Sequence, residues 1–262
     1  LMAIQAKVSE ERKRDLEGSV HPFIVEELTD ESGHLQAVGR LDIQAPEVDG
    51  LTYVEDAKGL KEGDIIPVRV VQGFAYVKIG EGCNNGCTFC IIPHVRGPLY
   101  SRTVESVTAE VRQLAAGGVK EINLIAQDTT SYGFDLAGKS LLPDLLRELV
   151  KIEGIEWIRL FYLYPHFFTD ELTELIVKED KICPYVDLPL QHISQSVLKR
   201  MNRRDSQADI LKLIDKLTAH GRKLTLRSTF IVGFPGETEE EFQELCDFVE
   251  RTKFDAVGVF TY

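Results

Sequence analysis

Three cysteines lie close together in this sequence, at a spacing that suits a metal centre. Cys83, Cys87 and Cys90 form a C-x₃-C-x₂-C motif, and the Asn-Asn-Gly between the first two favours a bend in the chain. Iron–sulfur clusters usually have four cysteine ligands, so three thiolates would leave one iron free for a substrate or cofactor. The alternative is a structural zinc site with His94 as its fourth ligand. We disfavour zinc because its cysteines usually come as C-x₂-C with a second pair at a distance.

The composition excludes several other classes of protein. The chain has five cysteines, and Cys183 and Cys246 are isolated in apolar surroundings, which favours buried, inert thiols over disulfides. Its 30 basic and 42 acidic residues give a net charge of −12, which disfavours non-specific binding to nucleic acid or anionic lipid. The sequence has no apolar stretch of roughly 20 residues, as a membrane span would need, and no signal-peptide pattern at its start. We therefore expect a cytoplasmic protein.

Apolar runs alternate with helical patterns in the segment that must position the cysteines. This alternation indicates a parallel sheet in an α/β domain, and six units where a full barrel has eight predict a partial (β/α)6 barrel. Ligands of such folds bind at the carboxyl ends of the strands, and the cysteine motif follows the first strand. Thr103, Thr169 and Thr238 are expected to cap three of the helices. The predicted strands are 75–79, 121–126, 157–162, 185–190, 224–232 and 256–262, and the predicted helices are 103–116, 140–152, 169–179, 194–201, 207–219 and 237–250.

The first 76 residues have a different pattern. A helix is predicted over 1–17, followed by short strands that glycine-containing turns separate, as in a small antiparallel β-barrel of the oligonucleotide-binding kind. These 76 residues contain 8 basic and 15 acidic side chains, a net charge of −7. A barrel that grips an RNA backbone would be basic, so we expect a basic protein partner or none. The predicted strands are 22–28, 35–41, 51–53 and 65–71.

The cysteine motif, with Phe89 before its last cysteine and a strand before its first, resembles that of the radical S-adenosylmethionine (SAM) enzymes. The runs E-G-C-N-N-G-C-T-F-C at 81–90, V-G-F-P-G-E-T at 232–238 and L-K-R-M-N-R-R at 198–204 are similar to the methylthiotransferase branch of that family. The resemblance implies that Cys83, Cys87 and Cys90 hold one 4Fe–4S cluster whose free iron binds SAM. It also implies reductive cleavage of SAM and abstraction of hydrogen from the substrate, with no catalytic residue assigned beyond the cluster ligands.

Two groups of that branch are candidates for the one that this sequence resembles. The run A-Q-D-T-T-S-Y-G at 126–133 resembles the group that modifies an aspartate of small-subunit ribosomal protein S-twelve, and it differs from the group that modifies an adenosine of transfer RNA. The resemblance implies a linker helix over 1–17, a TRAM-like small β-barrel over 18–74 and the radical SAM barrel over 75–262. It also implies a basic protein substrate, held by the acidic small barrel, and a separate electron donor. We do not expect nucleic acid to be the direct substrate, nor a membrane to be a partner.

The resemblance also implies cofactor-binding residues, each of which has a structural alternative. Phe89 is expected to lie against the adenine, or else only to pack within its loop. Gln127 and Asp128 end the second strand, where they approach the methionine part of SAM or cap a helix. Arg227 interrupts an apolar strand and needs a carboxylate partner, which is either that of SAM or one in a structural ion pair.

Two more residues are assigned to the cofactor at the ends of later strands. Gln191 ends the fourth strand, beside His192, to which we give no role. Gly236 lies in a glycine-rich run that permits close approach of the backbone to a ligand before a helix, or that simply makes a turn.

The chain departs from the family pattern in two respects. The resemblance implies an accessory barrel that follows the radical SAM barrel, whereas here it comes first, as in a permuted or spliced chain. It also implies an N-terminal domain with three more cysteines for a second cluster, and these residues contain no such motif. We therefore expect the chain to bind and cleave SAM without completing methylthio transfer alone.

Overall fold

The computed structural model shows two compact units that divide between Gln72 and Gly73. The linker helix predicted over 1–17 lies outside the described residues, as do the ends of two predicted strands in the first unit, at 51 and 70–71. Within the described part of the chain, no helix is long and apolar enough to cross a membrane. The structure describes residues 18–31, 34–41, 52–54, 57–69, 73–219 and 224–262.

The first unit contains a four-stranded antiparallel sheet in the order β3-β2-β1-β4. Its strands are β1 (Val20–Glu31), β2 (His34–Leu41), β3 (Thr52–Val54) and β4 (Ile65–Arg69), so each strand predicted here is present with shifted ends. The register of β1 against β2 shifts between Val25 and Glu27, which is typical of a bulge. Closure of this sheet into a barrel stays a prediction. The buried core of the unit consists of Phe23, Val25, Ala37, Leu41 and Ala57.

The second unit contains the six parallel strands that the sequence predicts, in chain order. Three form a sheet in the order β5-β8-β9 and three form a sheet in the order β10-β11-β12, and one parallel bridge between Ile158 and Ile182 joins the two sets. Curvature of these strands into a partial barrel stays a prediction. A two-stranded antiparallel ribbon of β6 and β7 was not predicted, because two-residue strands carry no periodic signal. The strands are β5 (Phe74–Lys78), β6 (Gly80–Glu81), β7 (Tyr100–Ser101), β8 (Glu121–Ile125), β9 (Trp157–Leu160), β10 (Tyr185–Gln191), β11 (Thr225–Val232) and β12 (Ala256–Thr261).

Helices separate the parallel strands as predicted. The side chains of Thr103, Thr169 and Thr238 accept hydrogen bonds from backbone N–H groups three residues on, which confirms the three predicted caps. The short helices α1 and α3 were not predicted. The helices are α1 (Ile92–Arg96), α2 (Val104–Ala116), α3 (Phe134–Ala137), α4 (Leu142–Leu149), α5 (Asp170–Lys178), α6 (Gln195–Arg200), α7 (Gln207–Thr218) and α8 (Glu239–Thr252).

The core of the second unit fixes the carboxyl ends of the strands. Ile122 and Leu124 of β8 are fully buried, in the same apolar cluster as Leu145 and Leu149 of α4. Burial of each such side chain stabilises the fold by about 1.5–3 kcal/mol relative to leaving it in water. The loops that follow the strands therefore start from a rigid base.

Candidate functional site

The three cysteines line one open cavity of about 590 Å³ between β6 and α1. Cys83 is buried, whereas Cys87 and Cys90 are partly exposed, and all three are free thiols. No group of three or more His, Cys, Asp or Glu residues among those described is placed to hold a single metal ion. Each cysteine of an iron–sulfur cluster ligates its own iron, so the thiols that hold such a cluster surround it and need not converge on one point. The other lining residues are Asn84, Asn85, Gly86, Thr88, Pro93, His94 and Pro98.

The electrostatics of the thiols suit a cationic centre. Burial raises the pKa of both Cys83 and Cys87, and it therefore opposes formation of the thiolates that bind metal. The Arg203 guanidinium favours the Cys87 thiolate and so offsets part of the rise in pKa that burial causes. A positively charged metal centre bound in the cavity would supply the remaining stabilisation of the thiolates. The chemistry of the donor set thus fits the cluster that the sequence resemblance implies.

Gly82 sets the entry of the chain into the cysteine loop, which we define as residues 83–90. Its φ of +74° lies in the left-handed region, and a Cβ atom there would be 2.1 Å from the carbonyl oxygen of Pro98. Only glycine fits both conditions. This approach allows the backbone N–H of Cys83 to donate to the Gly97 carbonyl oxygen at 3.1 Å.

Asp128, which lies three residues after β8 and does not end the strand as predicted, supports the cysteine loop through Asn85. Its buried carboxylate accepts hydrogen bonds from Asn85 Nδ2 at 2.7 Å, from Thr130 Oγ1 at 2.6 Å and from the Ser131 backbone N–H at 3.2 Å. The last of these bonds caps the short helix Thr129–Ser131, so the capping role that the sequence left open is present. Contact of Asp128 with SAM stays a prediction.

Gln127 has an unused acceptor beside the loop. Its Nε2 donates to Glu81 Oε1 at 3.0 Å, while its own Oε1 is buried and lacks a hydrogen-bond partner within the described part of the chain. A buried acceptor without a partner is uncommon and calls for a donor. A ligand amino group would serve, so the geometry is compatible with the predicted role.

Phe89 packs against side chains outside its own loop. Its ring is 6.4 Å from that of Phe234 in an edge-to-face arrangement, and it packs against the buried side chains of Val197 and Met201. The loop between Cys87 and Cys90 is therefore fixed by an apolar contact. Contact of Phe89 with the adenine stays a prediction.

None of the six predicted cofactor residues lines the cavity of the cysteines, and the remaining three have other surroundings in the fold. Arg227 Nη1 donates to Asp187 Oδ1 at 2.7 Å, so its partner here is a structural carboxylate with a fully buried side chain. Gln191 ends β10 with a φ of +72°, and the nearest atom to a Cβ built at Gly236 is Arg200 Nε, at 3.6 Å. Their roles toward SAM stay predictions.

Sequence reasoning missed two arrangements near this site. One is a set of hydrogen bonds between residues 200–204 and the cysteine loop. The other is a buried pair in which His192 Nδ1 accepts from the Ser194 N–H at 3.0 Å, so that Nε2 carries the proton toward Glu237 Oε1, 3.2 Å away. Burial lowers the pKa of His192 despite the nearby carboxylates. Glu237 lies in the V-G-F-P-G-E-T motif and His192 follows Gln191, but nothing in the sequence pairs them.

Comparison with known families decides the class of this site. The Radical SAM superfamily model matches residues 77–249, which include all three cysteines. The chain belongs to the radical SAM superfamily. The TRAM domain model matches residues 17–77, before the radical SAM match. The predicted family is thereby confirmed.

Curated relatives narrow the resemblance within this superfamily. The chain is 56% identical over 191 residues to "Ribosomal protein uS12 methylthiotransferase RimO" of Alkaliphilus oremlandii. The aligned region covers 73% of this chain and 44% of that protein. It is 54% identical over 232 residues to the protein of the same name from Clostridioides difficile. That alignment covers 88% of this chain and 52% of the relative. The chain thus spans about half the length of the curated relatives it matches. These matches favour neither the transfer-RNA enzyme nor the zinc module.

Solved structures support the radical SAM fold of the second unit. The radical SAM methyltransferase TsrM of Kitasatospora setae, with cobalamin and a [4Fe-4S] cluster bound, matches with a TM-score of 0.59 at 20% identity, over 72% of this chain and 37% of that one. Coproporphyrinogen III oxidase (HemN) of Escherichia coli, a radical SAM enzyme, matches with a TM-score of 0.52 at 18% identity, over 73% and 44% of the two chains. At these identities the likeness shows a shared fold alone.

Proposed function

We propose that this chain is the radical SAM and TRAM portion of a methylthiotransferase that modifies an aspartate of ribosomal protein uS12. The observation that carries the proposal is the set of three free cysteines around one cavity, in a chain 53–56% identical to proteins that bear that activity in their names. Fold likeness alone would leave the substrate open, because radical SAM enzymes of one fold act on many substrates. The identity to these relatives is what selects uS12.

Cys83, Cys87 and Cys90 would hold one 4Fe–4S cluster, and the iron without a cysteine ligand would take SAM. When bound and reduced, the cluster supplies the electron that cleaves SAM to the hydrogen-abstracting radical. The chain's own residues hold the ligands in place: Gly82 admits the sharp entry of the loop, and Asp128 fixes Asn85 within it. Gln127 offers an unpaired acceptor to a ligand.

The charge of the chain suits a basic protein substrate. The first 76 residues carry a net charge of −7, out of −12 for the whole sequence. An acidic surface attracts a basic protein and repels the phosphates of RNA. We therefore assign uS12 binding to the TRAM unit, with transfer RNA as the disfavoured ligand.

Anaerobic reconstitution with iron and sulfide tests the cluster. We expect a brown protein with about four irons per chain, which forms 5′-deoxyadenosine from SAM when dithionite is added. Cys90→Ser should lose most of the iron, whereas Cys246→Ser, in α8, should keep it and serves as the matched control. A colourless protein with one zinc per chain would overturn the proposal.

Binding and product formation test the substrate. We expect the chain to bind purified uS12 more tightly than transfer RNA at the same ionic strength, with binding to uS12 weakened by salt. Mass spectrometry of uS12 after turnover should show no methylthio group, because the 262 residues hold only one cysteine triad. Preferred binding of transfer RNA would contradict the substrate assignment, and methylthiolated uS12 would contradict the expectation that this chain cannot complete methylthio transfer alone.

A further inference from the structure

A second segment holds the cysteine loop: residues 200–204, which we call the support turn. Its four hydrogen bonds reach across more than 110 positions of sequence to three residues of the loop. The Thr88 N–H donates to the Met201 carbonyl oxygen at 3.0 Å, and Thr88 Oγ1 donates to the Arg200 carbonyl oxygen at 3.0 Å. Asn202 Nδ2 donates to the Gly86 carbonyl oxygen at 2.7 Å, and Arg204 Nη2 donates to the Asn84 carbonyl oxygen at 3.4 Å.

Asn202 has two properties that this position requires. Its φ is +54°, in the left-handed region that asparagine tolerates better than most residues. Its side-chain amide reaches the Gly86 carbonyl oxygen, and a Cβ atom on Gly86 would be only 3.0 Å from Asn202 Nδ2. The close approach of these two residues leaves Gly86 little freedom to move. Gly86 precedes Cys87, so this contact bears directly on the position of that thiol.

The support turn is itself anchored to the rest of the second unit. Met201 is fully buried in the apolar cluster with Phe234. Arg200 Nη2 donates to Glu241 Oε2 of α8 at 2.7 Å, and the backbone N–H of Arg204 donates to Tyr164 Oη at 3.2 Å. The cysteine loop, which is hydrogen-bonded to the support turn, is therefore connected through it to three separate parts of the fold.

We propose that the support turn positions the cysteine loop for its cluster, with Asn202 and Thr88 as positioning residues. The proposal rests on the proposed function, in that the loop holds an iron–sulfur cluster. The turn gives the L-K-R-M-N-R-R motif at 198–204 a role that composition and spacing did not reveal. By restricting the backbone on both sides of Cys87, it slows the loss of iron from the assembled cluster.

Asn202→Gly and Thr88→Val test this role. Glycine accepts the left-handed backbone and removes the side-chain amide at the cost of added backbone freedom, and valine keeps the shape of threonine and removes the hydroxyl donor. Lys253→Gly is the matched control, because Lys253 also has a φ of +53° but lies after α8, and its contacts do not include the cysteine loop.

The readout is the rate at which a chelator removes iron from the reconstituted chain under anaerobic conditions. We expect each site variant to lose iron about fivefold faster than the unchanged chain, as removal of one hydrogen bond predicts, and Lys253→Gly to match the unchanged chain. The thermal midpoint of each iron-free variant should fall by no more than about 4 °C, as loss of one hydrogen bond predicts, so faster iron loss well below that midpoint reports positioning and not general unfolding. Iron loss at the unchanged rate in both site variants would overturn the inference.

The two proposals fail in different ways. If the unchanged chain takes up no iron and sulfide, the proposed function fails, and the inference that rests on it fails with it. If the unchanged chain holds its cluster and both site variants hold theirs equally well, only the role of the support turn fails.

Discussion

Replacing Asp128 by alanine would remove the buried acceptor that joins the cysteine loop to β8. The carboxylate is 2% exposed and accepts three hydrogen bonds. Thr130 Oγ1 has a second acceptor in the Tyr164 carbonyl oxygen at 3.1 Å, so two donors, Asn85 Nδ2 and the Ser131 N–H, lose their partner. Each unpaired buried donor costs about 1–3 kcal/mol, and relief of the buried charge offsets part of this. We expect the free energy of unfolding to fall by about 2–4 kcal/mol.

Urea unfolding followed by tryptophan fluorescence measures this loss in the second unit alone. Trp157 is the single tryptophan of the chain and lies on β9. Asp144→Ala is the matched control, because Asp144 is a half-exposed carboxylate whose ion pairs contribute less than about 1 kcal/mol.

A double-mutant cycle with Asn85→Ala isolates the bond that matters for the site. We expect a coupling of about 1.5–3 kcal/mol between Asn85 and Asp128, as for a hydrogen bond to a charged acceptor. Strictly additive effects of the two substitutions would refute the reasoning. So would an effect of Asp128→Ala no larger than that of the control.

Three further predictions concern other positions of the second unit. Gly82→Ala should at least halve the iron bound per chain after reconstitution, because its Cβ would lie 2.1 Å from the Pro98 carbonyl oxygen; full iron content would contradict this. Because burial lowers the pKa of His192 from 6.5, its contribution to stability is complete above pH 6.5 and is lost as the pH falls below that value. His192→Gln should flatten this dependence in urea titrations carried out below about pH 6.5, and an unaltered slope there would refute it. Arg203→Lys should lower the free energy of unfolding by about 1–2 kcal/mol, since the buried guanidinium lies 3.9 Å from the centre of the Tyr164 ring, and an unchanged urea midpoint would contradict this.

Much of the fold was accessible from the sequence because its signals are local. Each of the six parallel strands follows from an apolar run, and the helix starts at Thr103, Thr169 and Thr238 follow from side chains that cap the next turn. The short ribbon of β6 and β7 was missed for the opposite reason. Its two strands pair Gly80 with Ser101 across twenty residues, and neither strand is long enough to show a period.

The assignments to the cofactor show where such reasoning stops. For Arg227 the sequence allowed either a ligand carboxylate or a structural one, and the fold supplies Asp187 from the neighbouring strand. For Asp128 it allowed a cap or a ligand contact, and the fold adds a third role, because Asn85 lies within hydrogen-bond distance. Partners of this kind are separated by 40 or more positions in the chain. Strand register places Arg227 beside Asp187, and the packing of two loops places Asn85 beside Asp128.

The sequence by itself determined the chemistry available to this protein. Cys83, Cys87 and Cys90 are close neighbours in the chain, so their spacing alone indicated a three-thiolate centre with one iron left free. Only the tertiary structure decided what holds those thiols in place. Gly82 and Asp128 fix the loop from one part of the fold and the support turn from another, and such contacts depend on packing between distant segments, which no local pattern of residues encodes.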